Sequence, residues 1–511
     1  MKDNEKRHWA DLAAEKIIKE KGDKKTYVCA AGITPSGTVH IGNFREIITV
    51  DLVTRALKNK RKNVRFIYSW DDYDRFRKVP ENMPKQDVLK KYLGMPIVDT
   101  PDVYGCHKNY AEHLEKELEE GLPATGIKPE FIYQSKMYRA CKYAEEIKYI
   151  LNKRNEIKKV LDKYRKEPLS ENWFPIGVYC ERCKTDYTRV IDYDDNYGVR
   201  YECKCGYSNE IDFRKKGIVK LSWRVDWPMR QHREKVDFEP AGKEHYQQPG
   251  GSRITANEIF SVLYKDVKHP IDLKYDFIII KGAGGKMSSS LGNVITLKDC
   301  LEVYEPEIVR FLFAGTRPNT EFAISFDLDV VKIYEDFDRL EKRYYEKKVD
   351  EKDKRIYELS CVSLKKNAPK RIGFRHLTML IQIYEGNIKK VSKNKEILKR
   401  AECAKNWIEK YAPDDFKFKL HEKIPKEING KLNKKQKESL KLLAKVLDKK
   451  KNEQGLFDEF YKICEKVGIN NIEFFKGAYL ALTGKEKGPR LASFILAIGK
   501  EKVKKLLKGI R

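Results

Sequence analysis

The chain has 511 residues, of which 41% are hydrophobic, so it can bury more than one core and typical domain sizes predict three or four domains. Its formal net charge is +28, and residues 331–511 carry most of that charge, with 47 Lys and Arg against 26 Asp and Glu. No apolar run is long enough to span a membrane and the first ten residues lack a signal-peptide core, so we expect a soluble cytoplasmic protein without a membrane partner.

The first elements follow a strand, turn, helix, strand order after an opening helix at residues 8–21. Residues 26–34 have the continuous apolar and β-branched character of a buried parallel strand. Apolar spacing predicts a helix that runs to Leu57, and residues 64–70 predict a second buried strand. This order predicts a doubly wound, Rossmann-like α/β sheet, which binds ligands beyond the carboxyl ends of its strands. Residues 275–280 predict its last strand.

An insertion of different character separates the two halves of this sheet. It contains Lys- and Glu-rich helices near residues 136–166 and a Cys-rich patch at 180–205. The spacing of Cys180, Cys183, Cys203 and Cys205 is close to that of a four-thiolate zinc ribbon. Four thiolates would stabilise a small insertion that has too little core of its own. Two disulfides, or free thiols, are the alternatives.

From about residue 331 the pattern is almost wholly helical and rich in lysine. The basic excess favours a polyanionic partner such as a nucleic acid, and a lysine-rich solvated surface is the alternative. Aromatic residues between the lysines could stack on unpaired bases, although most such rings pack in helical cores. These residues are Trp407, Tyr411, Phe416, Phe418, Tyr461, Phe474, Phe475 and Tyr479.

A first short turn, TPSGTVHIGN at residues 34–43, predicts half of a nucleotide site. His40 and Asn43 are three residues apart where the helix begins, beside unpaired backbone N–H groups that attract phosphate. Gly37 and Gly42 permit close approach of a ligand to the backbone. Taken alone, His40 could simply cap the helix.

A second turn, GGKMSSS at residues 284–290, predicts the other half of the site. Its glycines would let Lys286 reach the phosphates, with Ser288 and Ser289 behind it. It is not a Walker A loop, because Ile280 stands where the first Gly belongs and Met287 replaces the Ser or Thr that binds magnesium. Hydrolytic NTPase chemistry is therefore disfavoured.

The two turns together resemble the HIGH and KMSKS motifs of class I aminoacyl-tRNA synthetases. Within that class, residues 32–37, 69–80 and 223–228 resemble the class I lysyl-tRNA synthetases, a mainly archaeal form, and the match covers nearly the whole chain. The resemblance implies that L-lysine and ATP, with Mg²⁺, form a lysyl adenylate whose lysyl group passes to tRNA(Lys). It implies catalytic roles for His40, Asn43 and Lys286. The implied ATP site consists of Pro35, Gly37, His40, Gly42, Asn43, Lys286, Met287, Ser288 and Ser289.

Glutamyl-tRNA synthetases of class I are the close competitor. Their related motif has an Arg ten residues before the motif His, where this chain has Ala30. Loss of that cation argues against an acidic substrate. Carboxylates that could meet an ammonium are Asp71, Asp72, Asp74, Glu239 and Glu244, each of which could instead be an ordinary solvated acid.

The family resemblance also implies which residues line the lysine site. They are Gly32, Thr34, Trp223 and His245, to which we add Asp71 and Asp72. Trp223 could cover the lysine stem or its charge, or could equally anchor a core.

A second cluster of metal-ligand types lies within twelve residues of sequence. It consists of Asp102, Cys106, His107 and His113. The resemblance extends to this Cys–His pair, so we predict a second zinc ion here. A helix start with a buried Cys and surface histidines is the alternative.

These patterns predict four domains. They are a split Rossmann-like catalytic domain (1–110 and 215–300), a zinc-binding connective insertion (111–214), a helical stem-contact linker (301–370) and a basic all-helical anticodon-binding domain (371–511). The rival classes are a small-molecule nucleotidylyltransferase, which needs no basic helical arm, and a non-enzymatic tRNA-binding relative, which has no use for the phosphate residues. Oligomeric state, tRNA identity elements and editing stay open.

Overall fold

The computed structural model describes residues 6–281, 294–447 and 452–510, and the chain divides into two compact units. Unit 1 comprises Met1–Leu301, Pro306–Ile324 and Leu340–Lys366, and unit 2 comprises Glu302–Glu305, Ser325–Arg339 and Asn367–Arg511. Among the described residues, no helix has both the length and the apolar character that a membrane crossing requires.

The helices and strands up to residue 281 belong to unit 1. Those that build the sheet and its flanks begin with α1 (Trp9–Lys21), β1 (Thr26–Ile33), α2 (Ile41–Asn59), β2 (Asn63–Trp70), α3 (Gln86–Lys90), α4 (Tyr110–Gly121) and β3 (Glu130–Tyr133). The insertion follows with α5 (Gln134–Arg139), α6 (Ala144–Asn152), α7 (Arg154–Asp162), β4 (Ile176–Val178), β5 (Thr188–Tyr193), β6 (Gly198–Cys203), β7 (Ser208–Asp212) and β8 (Val219–Leu221). The chain then forms α8 (Trp223–Arg233), β9 (Phe238–Gly242), α9 (Ser252–Leu263), β10 (Ile271–Tyr275) and β11 (Ile278–Ile280). Short 3₁₀ helices lie at Ile97–Asp99, Leu122–Thr125 and Lys243–Tyr246.

The rest of the chain is mainly helical. Its elements are α10 (Leu297–Val303), α11 (Pro306–Ala314), β12 (Phe322–Ile324), α12 (Asp329–Tyr345), α13 (Glu351–Ser360), α14 (Phe374–Ile383), α15 (Lys395–Lys410), α16 (Lys426–Lys431), α17 (Lys434–Val446), α18 (Glu453–Val467), α19 (Asn471–Thr483), α20 (Leu491–Ile498) and α21 (Lys500–Leu507), with a 3₁₀ turn at Ile388–Lys390. The predicted helical character of this region is confirmed.

A five-stranded parallel sheet forms the centre of unit 1, in the order β10-β9-β1-β2-β3. The strands β1 and β2 pair over their full length, from Thr26 opposite Asn63 to Ile33 opposite Trp70. Helix α2 buries 13 of its 19 residues, which accounts for its apolar spacing. The predicted α/β class and the first three elements are confirmed, and the carboxyl ends of the strands meet at one edge.

The predicted last strand of this sheet was wrong in its extent. Residues 275–280 divide between the end of β10 and the separate strand β11, which pairs in parallel with β12 instead of joining the central sheet. The chain leaves the sheet between them, where the backbone N–H of Asp276 donates to the carbonyl of Pro318 at 2.8 Å. An apolar run can continue across such a break, because both flanking strands are partly buried.

The insertion consists of helices α5–α7 and two small antiparallel sheets, β4–β8 and β5–β6–β7. Their apolar side chains share one core with α8 and α9. In unit 2, helices α14 and α16–α21 surround a second core of mainly Leu, Ile and Phe side chains. The insertion therefore has a core that it shares with the catalytic sheet's own helices.

Candidate active site and metal clusters

The turn before α2 holds two of the predicted phosphate-binding side chains. His40 is the N-cap of α2: its Nδ1 accepts a hydrogen bond from the Gly42 N–H at 3.1 Å. The Asn43 carboxamide oxygen accepts in return from the His40 N–H at 3.0 Å, which completes a capping box. Because Nδ1 accepts, a neutral His40 carries its proton on Nε2 and can donate it to a phosphate oxygen. The capping alternative and the phosphate role are therefore compatible.

The second predicted turn, with Lys286, Met287, Ser288 and Ser289, lies outside the described residues. The residues that follow it return to the first turn. The carbonyl of Ile295 accepts from the Ile41 N–H at 2.7 Å, and Thr296 forms an antiparallel bridge with His40. The chain thus meets the amino terminus of α2 only a few residues after the KMSSS segment.

Arg45, one turn into α2, is a residue that sequence reasoning missed. Its buried guanidinium donates to the main-chain carbonyls of Phe277, Arg317, Pro318 and Thr320, at 2.7–3.1 Å. Burial lowers the pKa of Arg45 to about 10. These hydrogen bonds join α2 to the segments that precede β11 and β12. No local sequence pattern predicts this role of Arg45, because the acceptors are backbone atoms far along the chain.

A cavity of about 360 Å³ opens at the carboxyl ends of β1, β2, β9 and β10. Of the predicted lysine-site residues, Gly32, Thr34, Asp71, Trp223 and His245 line it. Ser36, Gly37 and Asn43 line it too, so the cavity is continuous with the phosphate turn. At Gly32 a Cβ atom would lie 2.9 Å from the Ser69 carbonyl oxygen, so only glycine fits between the two strands here.

Asp72 does not line this cavity. Its carboxylate accepts hydrogen bonds from the Ser135 backbone N–H, at 2.7 Å, and from the Ser135 hydroxyl. Burial raises the pKa of Asp72 to about 6. Asp72 lies in the turn that follows β2, where the Asp74 N–H donates to the Asp71 carbonyl at 3.1 Å, and this turn directs Asp72 away from its neighbour Asp71. Asp72 therefore caps α5 instead of contacting the cavity.

Glu46, which sequence reasoning also missed, projects from α2 into the cavity. Its carboxylate accepts from the Gly32 N–H at 2.9 Å and from the Tyr275 hydroxyl at 2.7 Å. Burial raises the pKa of Glu46 to about 8. Within the described ranges, no Lys or Arg forms an ion pair with it. The sequence did not indicate that Glu46 would face the cavity, because Glu46 lies three residues past Asn43, beyond the motif.

Three other carboxylates of the cavity wall, those of Asp71, Glu234 and Glu239, are paired with cations. Arg230 donates to both oxygens of Asp71, and Arg65 lies 2.8 Å from Glu234. Glu239 accepts from the indole N–H of Trp227 at 3.0 Å and lies 3.3 Å from Arg253. Glu244 also lines the cavity. Carboxylates outnumber cations on this wall, which suits a cationic ligand.

Aromatic rings form one side of the cavity. Trp223 and Trp227 stack with ring centroids 5.7 Å apart, and His245 lies within 5.9 Å of both. The Nδ1 atom of His245 is 2.7 Å from the Ser252 hydroxyl. The fold thus brings together Trp223 and His245, as the family resemblance implied.

The four predicted cysteines of the insertion lie in one cluster. Their Sγ atoms are within 4.8 Å of one another, with Cys180 and Cys205 3.7 Å apart and Cys183 and Cys203 3.5 Å apart. Zinc–sulfur bonds of about 2.3 Å in a tetrahedron place the sulfurs about 3.8 Å apart. The donor set and spacing therefore fit a tetrahedral metal ion, and the distances are too long for disulfides.

The second predicted cluster also converges. Cys106 Sγ lies 3.1 Å from Nδ1 of both His107 and His113, and an Asp102 oxygen lies 3.7 Å from His113 Nδ1. Asp102 accepts the backbone N–H groups of Cys106 and His107 at 2.8 Å, which shapes the loop. All four ligand atoms are within 4.8 Å of one another, so this group could also hold a metal ion.

The aromatic residues of the basic region divide by burial. Trp407, Phe474 and Tyr479 are buried, and Trp407 donates its indole N–H to the Phe326 carbonyl at 2.9 Å. Tyr411 and Tyr461 are exposed. The half-buried remainder consists of Phe416, Phe418 and Phe475.

Comparison with known proteins agrees with this geometry. A family model of class I tRNA synthetases (K) matches residues 7–363, and a model of an anticodon binding domain matches residues 385–510. A lysine–tRNA ligase of Borrelia garinii subsp. bavariensis is 50% identical over 522 residues, covering 98% of both chains. Those of Treponema pallidum (46% over 531 residues, 98% of both chains) and Pyrococcus horikoshii (41% over 530 residues, 98% of this chain and 99% of the relative) are similar throughout. The chain belongs to the class I lysyl-tRNA synthetase family.

Proposed function

We propose that this protein attaches L-lysine to tRNA(Lys) in an ATP-dependent reaction through a lysyl-adenylate intermediate. One observation carries the choice of amino acid: the enclosed carboxylate of Glu46, which lies in the cavity without a cationic partner among the described residues. The relatives over the full chain are lysine–tRNA ligases, so the glutamyl alternative lacks support.

Lysine fits the cavity through its charge and its stem. The side-chain ammonium would pair with Glu46, with which no described Lys or Arg forms an ion pair. The Tyr275 hydroxyl, which donates to Glu46, would lie beside the ammonium. The apolar stem would lie against Trp223, with His245 beside it. Glutamate would place a second carboxylate next to Glu46, where no described Lys or Arg forms an ion pair that could offset its charge, so glutamate binding is disfavoured.

Adenylate formation would take place where the cavity meets the phosphate turn. The lysine carboxylate attacks the α-phosphorus of ATP, and the bond to the leaving pyrophosphate breaks. The positive end of the α2 dipole and the Nε2–H of His40 would stabilise the phosphate charge, supported by Asn43. Pro35, Gly37 and Gly42 would form the ATP-facing backbone, and Mg²⁺ bound with ATP would offset the charge of the phosphates.

Lys286 would act on the same phosphates from the second turn, with Met287, Ser288 and Ser289 beside it. The pairing of Thr296 with His40 supports this assignment, because it ties the end of that segment to the first turn. In the second half-reaction, a hydroxyl of the terminal ribose of tRNA attacks the lysyl carbonyl, and AMP leaves.

We propose zinc for both metal clusters. The four thiolates Cys180, Cys183, Cys203 and Cys205 would fix the two turns that carry them. Asp102, Cys106, His107 and His113 would fix the loop before α4, whose Tyr110 hydroxyl donates to the Ser36 carbonyl at 3.2 Å. Both ions would then be structural, with no open position for substrate.

The basic C-terminal region would bind the tRNA. We propose the domain limits given above, with residues 301–370 contacting the stem and 371–511 the anticodon. The matching anticodon-domain model and the lysine excess after residue 331 support this role. The reaction would take place in the cytoplasm.

The test is ATP–pyrophosphate exchange by the purified protein with lysine or glutamate, followed by charging of tRNA(Lys). We expect exchange with lysine alone. Charging should weaken steeply as salt rises from 50 to 200 mM, by roughly tenfold or more, while exchange changes little, because only charging needs phosphate contacts. Exchange with glutamate alone would refute the proposal.

A further inference from the structure

Five charged side chains form a buried cluster that begins at the wall of the amino-acid cavity, which Asp71 and Arg230 line, and continues behind it. They are Asp71, Asp74, Asp226, Lys220 and Arg230, and each side chain is no more than 15% exposed. The cluster holds three carboxylates and two cations, so its fully ionised form lacks one positive charge. We call these five residues the charge cluster.

Each cation of the charge cluster bridges two carboxylates. The Nζ atom of Lys220 lies 2.8 Å from Asp74 Oδ1 and 3.3 Å from Asp226 Oδ2. Arg230 binds both oxygens of Asp71, and its Nε lies 3.3 Å from Asp226. Burial alone would lower the pKa of Lys220, but Asp226 and Asp74 outweigh burial and raise it. Lys220 therefore remains charged.

A hydrogen bond also connects Asp74, which does not line the cavity, to the cavity wall. The hydroxyl of Thr34 donates to Asp74 Oδ2 at 2.9 Å, and Thr34 lines the cavity. A hydroxyl has a single hydrogen, so once it donates to Asp74 its oxygen can only accept from a ligand. Asp74 thereby sets Thr34 as an acceptor for a group such as an ammonium.

Lys220 belongs to the insertion and not to the central sheet. It lies on β8 opposite Gly177 of β4, and β4 runs into Cys180 of the four-cysteine cluster two residues later. Buried ion pairs of this kind seldom add stability over apolar packing. Their place behind a substrate cavity points instead to a functional role.

We propose that Lys220 is a positioning residue for the amino-acid substrate: it holds Asp74 so that the Thr34 hydroxyl accepts from the substrate's α-ammonium, the cation that the charge cluster lacks. This inference rests on the proposed function, since it takes lysine as the ligand of the cavity. It assigns a role in amino-acid binding to a residue that reaches the site from the insertion.

The test measures lysine binding by calorimetry and exchange kinetics for Lys220→Met in the full-length protein. Removal of one partner of a buried ion pair leaves the other charge uncompensated, here that of Asp74, which orients Thr34. We therefore expect the lysine Kd and KM to rise at least about tenfold. The ATP KM should stay within about twofold, since the phosphate turn is untouched. Lys216→Met is the matched control: Lys216 lies in the same segment, is exposed, and pairs only with Glu181 at 3.1 Å among the described residues. It should leave both constants unchanged.

Asp74→Asn separates the proposed route from simple loss of structure. It should raise the lysine Kd as Lys220→Met does, and the double variant should be no worse than Asp74→Asn alone, because the two residues act in series. An unchanged lysine Kd in soluble Lys220→Met, even with a lowered Tm, would overturn the inference. If Lys220→Met does not fold, an unchanged lysine Kd in Asp74→Asn would overturn it. Wild-type protein that binds lysine but forms no adenylate would refute the proposed function and leave this inference intact.

Discussion

The phosphate turn and the amino-acid cavity adjoin each other, yet they are built in different ways. The turn consists of neighbouring residues, and the hydrogen bonds between His40, Gly42 and Asn43 close it locally. The cavity draws residues from Ala30 to Tyr275, and its polar groups are held by side chains from several elements. The difference teaches that the turn can keep its form while the cavity is altered, and that the two should respond to different substitutions.

The two metal clusters extend this comparison. The Asp102 cluster precedes α4, whose Tyr110 contacts Ser36 in the phosphate turn. The four-cysteine cluster adjoins β4 and β8, the second of which carries Lys220 behind the cavity. Each half of the site therefore adjoins a group of side chains that could hold a metal ion.

Substitution of His40 by Ala should produce the largest effect. Loss of one donor to developing phosphate charge should lower kcat for exchange by roughly 10²- to 10³-fold. Lysine Kd, measured by calorimetry, should not change, because His40 is not among the residues that line the cavity. Lys286→Ala should behave in the same way. A large rise in lysine Kd in either variant would contradict the view that the turn and the cavity respond to different substitutions.

Glu46→Gln tests the cavity side. The amide keeps the shape but removes the charge that pairs with the lysine ammonium, so the lysine KM should rise by roughly 10- to 100-fold. The kcat and the ATP KM should stay near their wild-type values. Glu234→Gln is the control, since that carboxylate lines the same cavity but already pairs with Arg65. Equal effects of the two substitutions would contradict the special role of Glu46.

The pH dependence of lysine binding sharpens this assignment. In the free protein the pKa of Glu46 is raised to about 8, so below that pH the carboxyl is protonated and must lose its proton to pair with lysine. Lysine affinity should therefore increase up to about pH 8, by about tenfold per pH unit at most, and then level off. Calorimetry across pH 6 to 9 measures this slope. The slope should vanish in Glu46→Gln, and its persistence there would assign it to another group.

His113→Ala should produce the smallest kinetic effect. It removes one ligand of the Asp102 cluster, so metal analysis should fall from two zinc ions per chain to one. The ATP KM should rise by about threefold as the Tyr110–Ser36 contact loosens, a change of under 1 kcal/mol. Lysine KM should be constant. A wild-type content of one zinc would eliminate this cluster as a metal site.

Several parts of this molecule could be predicted from sequence because their causes are local. Continuous apolar character identified β1 and β2, and cysteine spacing identified a cluster whose four sulfurs do converge. The prediction of one strand at residues 275–280 was wrong, because the chain leaves the sheet where the Asp276 N–H donates to the carbonyl of the distant Pro318. Asp72 does not line the cavity, because it lies in the turn after β2, where its carboxylate accepts from Ser135.

The sequence by itself determined the strands β1 and β2, the turn before α2 and the two groups of candidate metal ligands, since each depends mainly on residues close together in the chain. Only the tertiary structure decided which carboxylates line the cavity. Glu46, Arg45 and Lys220 acquire their roles from partners far along the chain, at Tyr275, Phe277 and Asp74. Burial and charge pairing act through space, so no spacing rule along the sequence could have selected these three from the other charged residues around them.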